Sequence, residues 1–320
     1  MYKISNSNLI LPALTMFMLL GISCNRNQAD KKIDATDKNK TVDTIKKVEE
    51  PEPEPELVIN YRIDSLATTA LIDSFNTKYN TKQREMIFAI NRIDPTRVRA
   101  KTNLVIPDTL LEDINAYSPF PKNMEILNTI PKTVLIAQRI QAFALFENGK
   151  LVKWGPISSG KRTTPTPNGL HYGNYKAREK ISTVDEAWKL PYYFNFMNFE
   201  GVGVHQYSLP GYPASHACVR LKMDDAQYIY DWAKQWELNS NGQKIVKNGT
   251  PFMVFGEYDY KNEAPWLELV NDRLNNNLRD DEMDTLKDYV AKYNEYLKTI
   301  DSNDLEKELT LDEGTVVTYN

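Results

Sequence analysis

The stretch GVGVHQYSLPGYPASHACVRL, Gly201 to Leu221, holds two of the chain's three histidines and one of its two cysteines. It opens on a short β-type run, Val202-Gly203-Val204, that leads into His205. A Gly/Pro loop, Leu209-Pro210-Gly211-Tyr212-Pro213, follows. That loop can fold the His205 strand back beside the segment carrying Cys218. His216 stands two residues before Cys218, and on an extended strand residues two apart point to one side. Either imidazole could then reach the sulfur. A thiol needs a base or a cationic neighbour to react near neutral pH, and this window supplies both residue types. Three other readings fit the same residues. The cysteine could be inert and buried. Two histidines and a cysteine could hold zinc, although no CxxC, HxxxH or HExxH spacing is present. Cys218 could also pair with the other cysteine, Cys24.

Moving outward, the surrounding sequence is rich in short β-type runs. Thr133 to Ile140, Ala142 to Phe146 and Leu151 to Ile157 are apolar and β-prone, and Asn148-Gly149 between the last two is a hairpin signal. Ser158-Ser159-Gly160 and Thr164-Pro165-Thr166-Pro167-Asn168-Gly169 are loops. Asp224 to Trp236 reads as a helix with Asp224 or Asp225 near its start. Thr250 to Tyr258 returns to strand, with Pro251 near its beginning. The fold class this predicts is α+β: a mainly β domain over residues 131–260, a small mixed module before it and a helical tail after it.

Composition bounds the function. The chain has 320 residues and a formal net charge of −4. Mild acidity removes the usual ground for expecting a nucleic-acid partner, and two cysteines cannot make a disulfide framework. The charge is unevenly sorted. Residues 131–260 carry 15 basic and 11 acidic residues, whereas residues 261–320 carry seven basic and 15 acidic. Within this acidic tail Met283, Leu286, Val290, Tyr293, Leu297 and Ile300 fall on one helical face, fit to pack on the core or on a partner. The tail's charge could also cover the basic core.

Residues 1–24 have the form of a secretory signal: Lys3, then an almost unbroken apolar run from Leu9 to Ile22, too short to span a bilayer. Ser23 directly precedes Cys24. The segment resembles a bacterial lipoprotein signal, with Gly21 where the commonest pattern has Leu. The resemblance implies lipidation of Cys24, which would remove it from any disulfide. Residues 25–56 are a charged linker ending in PEPEPE, a stiff spacer. In residues 57–130 the spacing of Leu66, Ala70, Ile72 and Phe75 predicts one helix, and Met86, Ile87, Ala89 and Ile90 predict a second. Tyr79 to Leu110 resembles the second half of a LysM repeat, through Ala89-Ile90-Asn91-Arg92 and Leu104-Val105-Ile106-Pro107. The opening G-D-T strand of that family has no counterpart in the sequence. A spacer that only shares the pattern is the alternative.

The central window resembles the L,D-transpeptidase catalytic family (YkuD), whose signature is a histidine, a loop, then S/T-H-G-C-x-R or N. Ser215-His216-Ala217-Cys218-Val219-Arg220 and the preceding His205 match it, with Ala217 in place of glycine. Ser158-Ser159-Gly160 and Thr166-Pro167-Asn168-Gly169 fit the family's upstream S-x-G and T-P-x-G elements, and Pro191-Tyr192-Tyr193-Phe194 fits an aromatic strand. The resemblance covers about residues 131–258 and implies a β-sandwich acting on the peptide stems of peptidoglycan. It implies Cys218 as nucleophile, His205 as base with its second ring nitrogen held by the Gln206 carbonyl, and His216 shaping the pocket. Backbone N–H groups around His216, Ala217 and Cys218 would bind an oxyanion. Ser215, Ala217, Gln206 and Arg220 are candidate substrate contacts, with Tyr207 and Tyr212 beside them. Trp154, Trp188 and His171 read as packing or surface residues. No metal and no cofactor is expected, the membrane is reached through the lipid anchor, and no oligomeric state is specified. A carboxypeptidase or endopeptidase on the same scaffold, and a non-catalytic wall-binding lipoprotein, are the alternatives.

Overall fold

The computed structural model of the chain describes residues 58–262 and 264–312, with side chains described as far as residue 300. The signal-like segment, Cys24 and the linker of residues 25–56 lie outside the described residues.

The first module runs strand, helix, helix, strand. β1 (Tyr61–Leu66) pairs antiparallel with β2 (Thr102–Pro107), from Tyr61 opposite Pro107 to Leu66 opposite Thr102. A strand therefore fills the place where the sequence motif is missing. Leu66 belongs to it rather than to the first helix. Between the strands lie α1 (Thr69–Lys78) and α2 (Thr81–Ile90). Thr68 caps α1 through the Leu71 N–H. Asn80 and Gln83 exchange side-chain and backbone bonds at the start of α2, a capping box. Asn91 then locks the end of α2 to β2: its amide donates to Ile87 O and Val105 O and accepts from Val105 N, each at 2.8 Å.

The next residues build two sheets. β3 (Thr133–Ala137), β4 (Ala142–Glu147), β5 (Lys150–Pro156) and β6 (Gly169–Tyr172) come first. β7 (Lys176–Ile181), β8 (Lys189–Met197), β9 (Val202–Gln206) and β10 (Val219–Leu221) follow. Then come α3 (Met223–Trp232), β11 (Glu237–Leu238), β12 (Ile245–Lys247), β13 (Pro251–Phe255) and α4 (Asp280–Asp312). The larger sheet has the order β5-β4-β3-β13-β6 and the smaller β10-β9-β8-β7, while β11 and β12 form a separate ribbon. Within the two larger sheets β3/β13 and β9/β10 are parallel pairs and the other pairs are antiparallel. The hairpin at Asn148-Gly149 forms as its sequence predicts, with both residues at positive φ (46° and 73°).

Both faces of the larger sheet are apolar because both are covered. Val134, Ile136, Phe143, Leu145, Phe252 and Val254 face the smaller sheet and α3, where they meet Phe194, Val204, Val219 and Leu221. The alternate residues Leu135, Ala137, Ala144, Met253 and Phe255 face the other way. There they join a second core with α2, β2 and the buried side of α4. The architecture is thus mainly β with a few helices, the α+β class expected.

Three boundaries differ from the periodicity. The first strand of the larger sheet stops at Ala137, because Gln138 to Gln141 turn, with Gln141 at φ 48°. Helix α3 stops at Trp232. The chain beyond is drawn across to β6 and β13, where Lys234 N donates to Thr250 Oγ1 at 2.8 Å and Trp236 N to Asn174 O at 3.1 Å. The last strand ends at Phe255, ahead of Gly256 at φ 77°.

Helix α4 lays Leu286, Tyr289 and Tyr293 on the outer face of the larger sheet. It is pinned at its start by Glu282, whose carboxylate takes both Nε and Nη2 of Arg139 at 2.8 Å. The described part of the acidic tail therefore lies behind the larger sheet, not over the basic surface of the smaller one.

Candidate active site

The alternation that buries Val204 and Val219 between the sheets turns His205, Cys218 and Arg220 to the outer face of the smaller sheet. Parallel pairing sets Arg220 beside His205 and Val219 beside Val204. Cys218 sits one residue before β10, on the same face as Arg220. Gly203 lets β9 approach closely, since a Cβ there would stand 2.6 Å from the Phe194 carbonyl oxygen.

His205, Cys218, Arg220, Ser215, His216 and Tyr207 line one cleft. It encloses about 700 Å³, its open mouth included, within the range of small-ligand sites. Lys180, Trp188, Leu190, Tyr193 and the 182–184 and 200–202 segments complete its wall. Three of the sequence candidates are not in the lining. Gln206 contributes its carbonyl from below. Tyr212 is exposed, and its carbonyl accepts from Ser158 Oγ at 2.8 Å. Ala217 acts through its backbone. Trp188, read from sequence as a packing residue, is instead a cleft wall, with its ring 5.6 Å from that of His216 and 6.3 Å from that of Tyr207. Trp154 is buried and donates to Ile114 O at 2.7 Å. His171 lies on β6 against Phe196, away from the cleft.

The two histidines have different surroundings. His205 is almost fully buried, and its Nδ1 lies 2.9 Å from Gln206 O. Burial pushes its imidazole down to about 4, against a small lift from the Gln206 bond, and Arg220 lowers it further. It is therefore neutral near pH 7, with Nδ1 protonated and Nε2 free as a base. His216 Nε2 lies 2.8 Å from Lys161 Nζ, while its Nδ1 is buried without a partner. Desolvation lowers its pKa, and the nearby charges of Lys161 and Arg220 act in the same direction. The lysine holds this ring.

Burial pushes the Cys218 thiol up, outweighing the Gly203 N–H, Lys180 and Arg220, which favour the thiolate. The thiol's hydrogen bond is to Gly201 O at 3.8 Å rather than to His205. The resting pair is therefore a neutral thiol beside a neutral imidazole. Catalytic hydrogen bonds of this kind commonly tighten only around substrate.

The turn before Cys218 is held by its carbonyls. Ser215 O accepts from Lys161 N (2.8 Å) and Thr164 Oγ1 (3.2 Å), and Ala217 O from Thr166 Oγ1 (2.7 Å). In a trans peptide the following N–H points the opposite way. The N–H groups of His216 and Cys218 are thus aimed away from the 161–166 segment, as an oxyanion site requires. Ala217 adopts φ 75°, the left-handed region that favours glycine. Arg220 is half-buried, donates to Ala214 O at 3.0 Å and lies 4.7 Å from the Tyr207 ring. Among the described residues it has no carboxylate partner.

The loop after His205 is braced from the first module. Asp94 accepts from Leu209 N at 2.7 Å and its own N–H donates to Leu209 O at 2.9 Å. Arg97 Nε donates to Ser208 Oγ at 2.7 Å. These long-range partners, like Lys161 and Lys180, carry no local sequence signal.

Comparison with known proteins agrees with the signature. No curated protein matches the chain. Among solved structures, an L,D-transpeptidase from Stackebrandtia nassauensis is 25% identical, over 41% of this chain and 58% of that one, with a TM-score of 0.33. One from Mycobacterium smegmatis is 21% identical, over 39% and 59%, with a TM-score of 0.32. One from Mycobacterium tuberculosis is 20% identical, over 39% and 58%, with a TM-score of 0.32. The chain thus spans less than two thirds of the length of each of these structures. Over residues 131–255 it matches the family model of the L,D-transpeptidase catalytic domain, YkuD.

Proposed function

We propose that the protein is a peptidoglycan L,D-transpeptidase with Cys218 as nucleophile. The observation that carries this is one cleft holding the Cys218 thiol and a buried neutral His205 whose Nδ1 is fixed by Gln206 O. The substrate is a tetrapeptide stem. Cys218 Sγ attacks the carbonyl carbon of the third residue while its proton passes to His205 Nε2. The N–H groups of His216 and Cys218 hold the oxyanion, a contribution of about 3 kcal/mol per donor in comparable sites. The tetrahedral centre collapses, the C–N bond breaks, and His205 returns the proton to the departing D-alanine amine. The product is a thioester on Cys218. An amine of a second stem then attacks the thioester, and its proton passes through His205 to the released thiolate.

Arg220 and Lys180 put positive charge in the cleft, suited to the carboxylates of a stem peptide. His216, held by Lys161, and Trp188 shape the entrance. Tyr207 and Ser215 complete the acyl-binding wall, Ala217 contributes through its backbone, and Tyr212 flanks the loop from outside the cleft.

The same proposal places the enzyme in the cell envelope. Cys24 carries the lipid, residues 25–56 form the tether, and residues 131–260 do the chemistry. Residues 57–130 act as a LysM-like module, a reading supported by the strand–helix–helix–strand order of β1, α1, α2 and β2.

Incubation with purified disaccharide-tetrapeptides tests the reaction. A transpeptidase yields cross-linked dimers and free D-alanine. A carboxypeptidase on this scaffold yields tripeptides and D-alanine without dimers. A wall-binding protein without catalysis leaves the tetrapeptides intact.

A further inference from the structure

The tip of the β8–β9 hairpin, Asn198 to Gly201, borders two depressions. Glu200 and Gly201 belong to the wall of the Cys218 cleft. Asn198 and Phe199 border a separate groove of about 1080 Å³, its open mouth included, which β6 and the β11–β12 ribbon also line. The cleft and the groove share no lining residue, and the first module contributes none to the groove.

The groove combines aromatic surface with open polar groups. Phe199 is 97% exposed, and Trp236 and Tyr172 are half-buried. Among the described residues, the Trp236 indole N–H and the side-chain amides of Asn198 and Asn248 have no hydrogen-bond partner, and all three are open to solvent. Gln243 adds an exposed amide. No Asp, Glu, Lys or Arg lines the groove, in a chain of which they make up 26%. The Cys218 cleft, by contrast, holds Lys180, Glu200 and Arg220. Burial pushes the groove's one histidine, His171, down, so it too is uncharged near pH 7.

This chemistry selects a ligand class. An ion entering the groove loses water and meets no countercharge. A wholly apolar ligand strips water from the amides and replaces none of their hydrogen bonds. A sugar ring suits both surfaces. Its flat face of C–H groups packs on the negative face of an aromatic ring. Its hydroxyl and acetamido groups bond to amides and to the indole N–H.

We propose that this groove binds an uncharged oligosaccharide, with sugar rings on Trp236 and Phe199 and polar groups on the Asn198, Gln243 and Asn248 amides. In the cell wall the source is the glycan strand, an identification that rests on the transpeptidase reading; the saccharide site itself does not. A strand is a polymer, so the sugars held here need not carry the stem that reacts at Cys218.

Calorimetric titration of the full chain with the β-1,4-linked tetramer of N-acetylglucosamine tests this, with tryptophan fluorescence followed in parallel. The probe carries no stem peptide, so its binding is read whether or not Cys218 is a nucleophile. Binding should be saturable and should perturb the fluorescence. Trp236→Ala should weaken it at least about tenfold, and Phe199→Ser at least about threefold. Phe199 is so exposed that its variant keeps the fold. The deacetylated, cationic tetramer and an uncharged tetra-alanine peptide should each bind at least about fivefold more weakly. A saccharide held by the first module instead would bind both variants as tightly as the natural chain. That result, no binding at all, or equal affinity for the peptide would overturn the proposal.

Discussion

The Nδ1 atom of His205 lies 2.9 Å from the carbonyl oxygen of Gln206, its own neighbour in the chain. A carbonyl can only accept, so Nδ1 carries the proton and Nε2 is left as the base. Burial holds the imidazolium form down to about 4, and burial also holds the Cys218 thiol up. Both shifts favour the uncharged pair. The profile of kcat/KM against pH should therefore be broad, with its acid limb near pH 4 and its alkaline limb above the ordinary thiol range. An acid limb at the ordinary histidine value of about 6.5 would contradict the buried, neutral base.

The same shift affects stability. Between about pH 6.5 and 4 the unfolded chain takes up a proton on this histidine and the folded chain does not. Stability is then full above about 6.5 and falls as the pH drops toward 4, by on the order of 3 kcal/mol in total. Denaturant titrations at pH 7 and pH 4.5 measure it. A His205→Gln variant should lose less stability over that interval than the natural protein.

Ala217 at φ 75° stores strain that glycine would not have. A non-glycine left-handed residue costs about 1–2 kcal/mol, and glycine returns about 0.4–1 kcal/mol of that through the freedom of the unfolded chain. Ala217→Gly should therefore raise stability by roughly 0.5–1 kcal/mol, seen as a higher denaturant midpoint at unchanged slope. A destabilised variant would show that the turn is not left-handed.

Asp94 ties the first module to the loop that follows His205, through Leu209 N at 2.7 Å and Leu209 O at 2.9 Å. Asp94→Ala leaves the Leu209 N–H without its acceptor, at a cost of about 1–3 kcal/mol. Hydrogen exchange at the Leu209 amide should speed up, and kcat should fall while the reaction of Cys218 with iodoacetamide changes little. If Leu209 keeps its protection in the variant, the brace plays no part.

The Arg139–Glu282 pair is buried on both sides, with 8% and 4% of the two side chains exposed. Removing one partner of such a pair leaves an uncompensated charge, costing about 3–5 kcal/mol. Glu282→Gln should approach the lower figure, because the amide oxygen still accepts one bond. The loss of α4 from the larger sheet should appear as faster exchange in Leu286 to Tyr293. A variant as stable as the natural chain would mean that apolar packing alone holds the helix.

What was legible in the sequence was local. His205 and Cys218 could be brought to one site because a Gly/Pro loop joins two β-type runs. The extended-strand reading that set His216 on the same side as Cys218 does not hold: Ala217 between them is left-handed, and the two reach one cleft through a turn ahead of β10. The Asn148-Gly149 hairpin followed from the φ preference of those two residues. Strand β1 was missed because its burial alternates poorly along Tyr61–Leu66, leaving little apolar pattern to read. Trp188 and Lys180 were missed as cleft walls because their place depends on how the β7–β8 connection folds over the smaller sheet. Lys161 beside His216 and Asp94 beside Leu209 join residues 55 and 115 positions apart, and nothing local marks either pair. Ala217 was readable only conditionally: alanine fits if φ is negative and is strained if it is positive, and the fold decides for strain.

The most direct measurement is the intact mass of the protein after brief mixing with disaccharide-tetrapeptide, quenched in acid. The account predicts a covalent adduct equal to the muropeptide less D-alanine, mapped by peptide sequencing to Cys218, absent from Cys218→Ala and cleared when a second stem is added as acceptor. Turnover of the stem by a folded Cys218→Ala protein at the natural rate would contradict it.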